Sequence, residues 1–191
     1  WLGRCSIVGK WFGGDRTVEQ QITGLDQLWP RVEGKSVLDV GCAEGYIAIE
    51  CEKRGAREVI GVDVRHEAID EATKSARKCR ATAFMWADVN RWSPPGRFDV
   101  ILLLAVLHKL KQPADVLRRI IEHGCKDTAT VVLRMRRKDW PVLTDMRSKY
   151  KEQDIRFVMY DHGFTLVHED DGPVADGQPA EWCGFFERVT A

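Results

Sequence analysis

The chain has 191 residues, enough for one well-cored domain and short for two. Its 29 lysines and arginines balance 29 aspartates and glutamates, so no overall field draws it onto nucleic acid or a membrane, and a polyanion would need a local patch. The six cysteines (Cys5, Cys42, Cys51, Cys79, Cys125, Cys183) show neither CxxC pairing nor metal-ligand spacing, which predicts a reducing, cytoplasmic compartment and no bound metal.

No apolar run approaches the roughly 20 residues that span a bilayer, and the first residues lack the charged and apolar regions of a secretory leader. No membrane partner is expected, while oligomeric state is not encoded in any pattern found. The sequence starts at Trp1, so an earlier segment carrying an address would not be seen.

In chain order, Trp11-Phe12 beside Gly13-Gly14 reads either as a packed terminal segment or as a mobile flap. Asp15 to Trp29 has Val18, Ile22, Leu25 and Leu28 on one face and Asp15 as a candidate cap, which predicts one N-terminal helix. Val37 to Val40 is a short apolar run suited to a buried parallel strand, followed by a helix over Tyr46 to Arg54 that stops at Gly55. The rhythm repeats with a strand at Glu58 to Val62, a helix at His66 to Lys78 and a strand at Ala81 to Trp86.

Phe98 to Leu104 (FDVILLL) is the most apolar strand and belongs at the centre. A helix over Pro113 to His123 and a strand at Thr128 to Leu133 complete the alternation, which implies a parallel sheet covered on both faces. The tail departs from it: a helix near Tyr150 to His162, a strand at Phe164 to His168, a Gly/Pro/Asp loop, then Trp182 to Val189. Two strands joined without a helix run antiparallel. The expected fold is α/β, a doubly wound, Rossmann-like, seven-stranded sheet, mostly parallel with one antiparallel strand from a C-terminal β-hairpin. It forms a single domain over 1–191, with 1–33 as an N-terminal flap and helix on a core of 34–191.

In such a sheet the ligand lies beyond the carboxyl ends of the strands, usually at the first strand–turn–helix. That turn is Asp39-Val-Gly41-Cys-Ala-Glu-Gly45. Its glycines permit close backbone approach, and the next helix offers its positive end. A dinucleotide fingerprint needs G-x-G-x-x-G, whereas Ala43 and Tyr46 occupy the second and third glycine positions; a P-loop needs Gly-Lys-Ser/Thr, also missing. Ala43 fits only where the backbone keeps an ordinary conformation.

Asp63, 22 positions after Gly41, ends the second strand, where a carboxylate accepts both hydroxyl protons of a ribose. Asp88 follows the third strand and suits the exocyclic amine of an adenine, with Trp86 and Val89 flanking the ring. Three acids at adjacent strand ends favour a ligand bearing amine or cationic groups over one rich in phosphate. Each has a plainer reading as well: Asp39 and Asp63 as caps, Asp88 as a turn former.

VLDVGCAEG, then VIGVDV, ADV, FDVILLLAVLHKL and a hairpin tail resemble, in order and spacing from about Gly34 onward, the class I S-adenosylmethionine-dependent methyltransferases. The resemblance implies S-adenosyl-L-methionine as cofactor. It places Asp39 by the amino group, Asp63 at the ribose, Asp88 by the adenine amine and Leu104 to Val106 along the methionine side. The implied cofactor set is Asp39, Gly41, Cys42, Ala43, Gly45, Asp63, Val64, Asp88, Val89 and Leu104.

Methyl transfer from a sulfonium needs alignment and exclusion of water, not a metal or a protein nucleophile. His108, at the rim after the fourth strand, is a candidate general base or a structural histidine. Arg134, Arg136, Arg137 and Lys138, followed by Trp140, form a basic cluster after the fifth strand. Arg134 and Arg137 are candidates to hold a substrate anion or an RNA backbone; alternatively the cluster is a solvated loop.

The strand-four end has no Asn/Asp-Pro-Pro-Tyr, no Pro-Cys pair and no acid. That argues against base-amine, cytosine-C5, ribose 2′-O and metal-dependent catechol-type members. The favoured expectation is methylation of an oxygen or nitrogen of a small molecule. The alternatives are an RNA or nucleotide acceptor held by 134–138 and a non-catalytic cofactor-binding module.

Overall fold

The computed structural model describes residues 17–136, 152–172 and 181–188. Its strands are β1 (Ser36–Val40), β2 (Glu58–Asp63), β3 (Thr82–Trp86), β4 (Phe98–Leu104), β5 (Cys125–Arg136), β6 (Phe164–Asp171) and β7 (Glu181–Arg188). They form one sheet in the order β3-β2-β1-β4-β5-β7-β6. The first five neighbours run parallel, and β7 runs antiparallel to both β5 and β6. The expected mixed sheet with one reversed strand is therefore present. Every residue of β1 is buried, Ser36 and Asp39 included, as a central parallel strand covered on both faces requires.

Six helices accompany the strands among the described residues: α1 (Val18–Ile22), α2 (Trp29–Val32), α3 (Tyr46–Lys53), α4 (His66–Ser75), α5 (Pro113–Gly124) and α6 (Glu152–Asp161). On one face of the sheet, Leu38, Ile101, Leu103 and Val131 pack with Leu117 and Ile121 of α5 and Val158 and Met159 of α6. On the other, Val37, Val100, Leu102 and Val132 pack with Ile47 and Cys51 of α3 and with Leu25, Leu28 and Val32 of the N-terminal segment. Full burial of each such side chain stabilises by about 1.5–3 kcal/mol, so both layers are needed.

The N-terminal segment differs from expectation. Instead of one helix to Trp29, α1 ends at Ile22, and the chain turns through Thr23 and Gly24 before α2. Gly24 has φ +74 and would place a Cβ 2.7 Å from the carbonyl oxygen of Asp171, so the turn is pressed against β6. The cap of α1 is Thr17, whose side chain and that of Gln20 exchange bonds with each other's backbone N–H. Asp15, named above as the cap, and the Trp11-Phe12 pair lie outside the described residues.

Candidate functional site

Strand order reverses between β1 and β4, and the carboxyl ends of the strands at such a reversal are where an open α/β sheet takes a ligand. Two non-glycine residues with positive φ stand at this place, Ala43 (φ 49) in the turn after β1 and Ala105 (φ 59) directly after β4. Such conformations cost about 1–2 kcal/mol for alanine and collect where function demands a shape. Ala43 was expected in an ordinary conformation; it is left-handed, between Gly41 (φ 78) and Gly45 (φ 81). The turn imposes that conformation because Gly41, Cys42 and Ala43 are all tied to the end of β2.

The ties are specific. Gly41 N–H and Cys42 N–H both donate to the Val62 carbonyl, at 2.7 and 3.0 Å, and Gly45 N–H donates to the Cys42 carbonyl at 2.9 Å. Ala43 N–H donates to Oδ2 of Asp63 at 3.0 Å. These N–H groups are spent inside the protein, so the turn is not the open nest of donors that a phosphate requires. Gly45 is where the helix meets the sheet: a Cβ there would lie 2.4 Å from Phe84 Cζ and 2.9 Å from Ala72 Cβ.

The acids take three different environments. Asp39, at 2% exposure, is on the same sheet face as Arg134. Burial and then the charge of Asp63 push its carboxyl up to about 7, against the pull of Arg134. Asp63, at 8% exposure, also accepts the Arg65 N–H on Oδ1 at 2.9 Å; the cap position of α4 itself belongs to Arg65. Asp88, half-buried, accepts the backbone N–H and side-chain amide of Asn90 on Oδ1, which hold it below its ordinary value. The turn-forming role foreseen for Asp88 is thus real, and it occupies one carboxylate oxygen.

Around the acids, Val64 is exposed, Val89 is buried and Leu104 is half-buried. Trp86, expected with Val89 beside an adenine ring, is 50% exposed, stacks on His66 with ring centroids 4.6 Å apart, and donates from Nε1 to the Val64 carbonyl at 2.7 Å. Cys42 is buried, and desolvation followed by Asp39 and Asp63 pushes its thiol up, so it stays protonated and is no nucleophile at neutral pH. His108 is half-buried in a 3-10 turn, Leu107–Lys109, close after Ala105.

Arg134 corrects an expectation. The strand β5 runs past it to Arg136, and its side chain, 2% exposed, donates to the carbonyls of Gln21 at 2.9 Å and Thr23 at 2.8 Å. It anchors the N-terminal segment from inside, and a contact with a substrate anion gives way to that role. Arg137, Lys138 and Trp140 lie outside the described residues.

Three features of the site had no signal in the sequence. Ala105 is shaped by the end of β4, where its N–H donates to the Arg134 carbonyl at 2.9 Å. Glu44 is nearly buried and pairs with Arg65 at 3.3 Å. Arg119 of α5 reaches the carbonyls of Trp92 and Val89, at 3.0 and 2.6 Å, and fastens the loop carrying Asp88 and Val89. Each depends on residues far apart in the chain.

The profile of the family described as "Methyltransferase domain" matches residues 16–169. The chain belongs to the class I S-adenosylmethionine-dependent methyltransferases. Among solved structures of the fold, an S-adenosylmethionine-dependent methyltransferase from Mesorhizobium loti superimposes with TM-score 0.72, 16% identity and coverage of 91% of this chain and 99% of that one. Magnesium protoporphyrin IX methyltransferase from Synechocystis PCC 6803 with bound S-adenosylhomocysteine gives 0.70, 20%, 92% and 90%. The ribosomal protein L11 methyltransferase of Burkholderia cenocepacia is 33% identical over 101 residues, 52% of this chain and 33% of its own length. The chain thus spans about a third of the curated relatives it matches.

The cofactor of this methyltransferase family is S-adenosylmethionine, and the donor set fits it. That molecule carries an ammonium, a sulfonium, a ribose diol and an adenine amine, all suited to carboxylate acceptors. The cradle supplies carboxylates at the ends of β1, β2 and β3 and withholds the N–H groups that a phosphate would need. No helix among the described residues is long and apolar enough to cross a membrane.

Proposed function

We propose that this chain binds S-adenosylmethionine in the β1/β4 crevice and methylates an oxygen or nitrogen of a small-molecule acceptor in the cytoplasm. What supports the reading is the glycine turn whose N–H groups are consumed by Val62, Cys42 and Asp63, together with the acids Asp39, Asp63 and Asp88 at the ends of β1, β2 and β3. The bound cofactor supplies an activated methyl group on positively charged sulfur. Asp63 and Asp88 take the ribose and adenine amine, with Val64 and Val89 beside the ring, and Asp39 takes the ammonium. Gly41, Cys42, Ala43 and Gly45 shape the wall. Leu104 and Val106 keep water from the reacting side, and His108 is placed to take the acceptor's proton.

Residues 1–191 act as one domain in this reading, with 1–33 as an N-terminal flap and helix on the core 34–191 and Arg134 holding Gln21 and Thr23. The burial of Arg134 removes one cation from the RNA alternative. A protein acceptor draws support from the name of the L11 methyltransferase relatives.

Calorimetry with S-adenosylhomocysteine tests the cofactor site: binding is expected, with a loss of at least about tenfold in Asp63→Ala. Absence of binding by the wild-type chain overturns the proposal. Incubation with methyl-labelled cofactor and a fractionated cell extract tests the acceptor. Label in the small-molecule fraction supports the reading, whereas label confined to protein or RNA, or to none, replaces it.

A further inference from the structure

Asp63 is gripped on both oxygens. The glycine turn holds Oδ2 through Ala43 N–H, while Oδ1 takes the Arg65 N–H at 2.9 Å and has the Arg65 Nε 3.5 Å away. The other end of the same guanidinium, Nη2, is 3.3 Å from Oε1 of Glu44. Glu44 belongs to the turn and is nearly as buried as Asp63. Two carboxylates from different elements therefore share one cation, which links the turn after β1 to the end of β2.

The Arg65 side chain is 46% exposed, so its ion pairs contribute little to stability in water. Its consequence is geometric. A carboxylate must turn its remaining lone pairs to a defined direction to accept from two vicinal hydroxyls, and groups that fix a binding carboxylate from behind alter affinity strongly. A guanidinium reaches two carboxylates in fixed geometry, which an ammonium on a flexible stem does not reproduce.

We propose that Arg65 is a positioning residue: by bridging Asp63 and Glu44 it orients the Asp63 carboxylate for a vicinal diol and makes affinity at this site depend on the ribose hydroxyls. The inference rests on the nucleoside reading of the cradle. Arg65 acts only through Asp63, so its effect disappears when either the diol or the carboxylate is removed.

The test is calorimetry of S-adenosylhomocysteine and its 2′,3′-dideoxy counterpart on the wild-type chain, Arg65→Ala, Arg65→Lys, Asp63→Asn and the Arg65→Ala/Asp63→Asn double variant, with a thermal melt of each. Arg65→Ala is expected to weaken S-adenosylhomocysteine about tenfold and leave the dideoxy ligand unchanged. Arg65→Lys recovers less than half of that loss on a logarithmic scale, and the double variant binds as Asp63→Asn does. Equal weakening of both ligands, or wild-type affinity in Arg65→Ala, overturns the proposal for Arg65 and leaves the cofactor reading standing. A wild-type chain that binds neither ligand, or both alike, overturns Arg65 and the ribose role of Asp63 together.

Discussion

With its carboxyl pushed up to about 7, Asp39 passes from mostly protonated at pH 6 to mostly ionised at pH 8. Only the ionised form attracts an ammonium, and a bound cation draws the proton off. Affinity for S-adenosylhomocysteine is therefore expected to rise about tenfold from pH 6 to pH 8. Calorimetry across that range reads it directly, and Asp39→Asn should bind weakly with a flat profile. A flat wild-type profile would mean that the ligand's charge does not reach Asp39. Ala43 invites a second measurement. Its φ of 49 is one that glycine adopts without penalty, so Ala43→Gly is expected to stabilise the fold by about 0.5–1 kcal/mol, read as a shift in the urea midpoint at unchanged slope. The sequence marks Ala43 as the odd residue of its turn, but its conformation follows from hydrogen bonds to Val62 and Asp63 that no local pattern records.

The alternation of strands and helices was readable because each element carries its own period. The strand Phe98–Leu104 has the bounds its apolar stretch predicted, and α5 buries Val116, Leu117, Ile120 and Ile121 at helical spacing. Reading failed where a distant partner decides the local path. Val18, Ile22, Leu25 and Leu28 keep helical spacing through Gly24, yet the chain breaks there because Arg134, 111 positions from Thr23, takes the carbonyls of Gln21 and Thr23. Arg134 was misplaced for the same reason: a run of cations looks solvated until one of them is found inside, lying along β5 under the N-terminal segment. Of the cradle, the acids and glycines were legible as positions at strand ends. The bridge from Glu44 to Asp63 through Arg65 was not, since it joins residues 21 apart on two elements.

Across the whole molecule, the two ends of the sheet treat their acids in opposite ways. At the amino ends of the strands, Oδ2 of Asp99 accepts the Ser36 N–H at 2.9 Å, the Ser36 hydroxyl at 2.8 Å and Lys126 Nζ at 2.9 Å, with Arg57 at 3.4 Å. Desolvation opposes ionisation there, but the bonds from Ser36 and Lys126 outweigh it and hold the carboxyl at about 2. At the carboxyl ends, burial and the charge of Asp63 raise Asp39 instead. Stability and binding are therefore separable by site. A depressed carboxyl stabilises the fold above its unfolded value near 4 and loses that contribution as pH falls through about 2. Asp99→Asn is accordingly expected to destabilise the chain by on the order of 2 kcal/mol at pH 7, with the gap to wild type closing as the unfolding is repeated toward pH 2. Its affinity for S-adenosylhomocysteine at pH 7 should match wild type, because no part of the Asp99 network reaches the cradle. Loss of affinity in Asp99→Asn, with the fold intact by circular dichroism, would show that the two ends of the sheet are coupled.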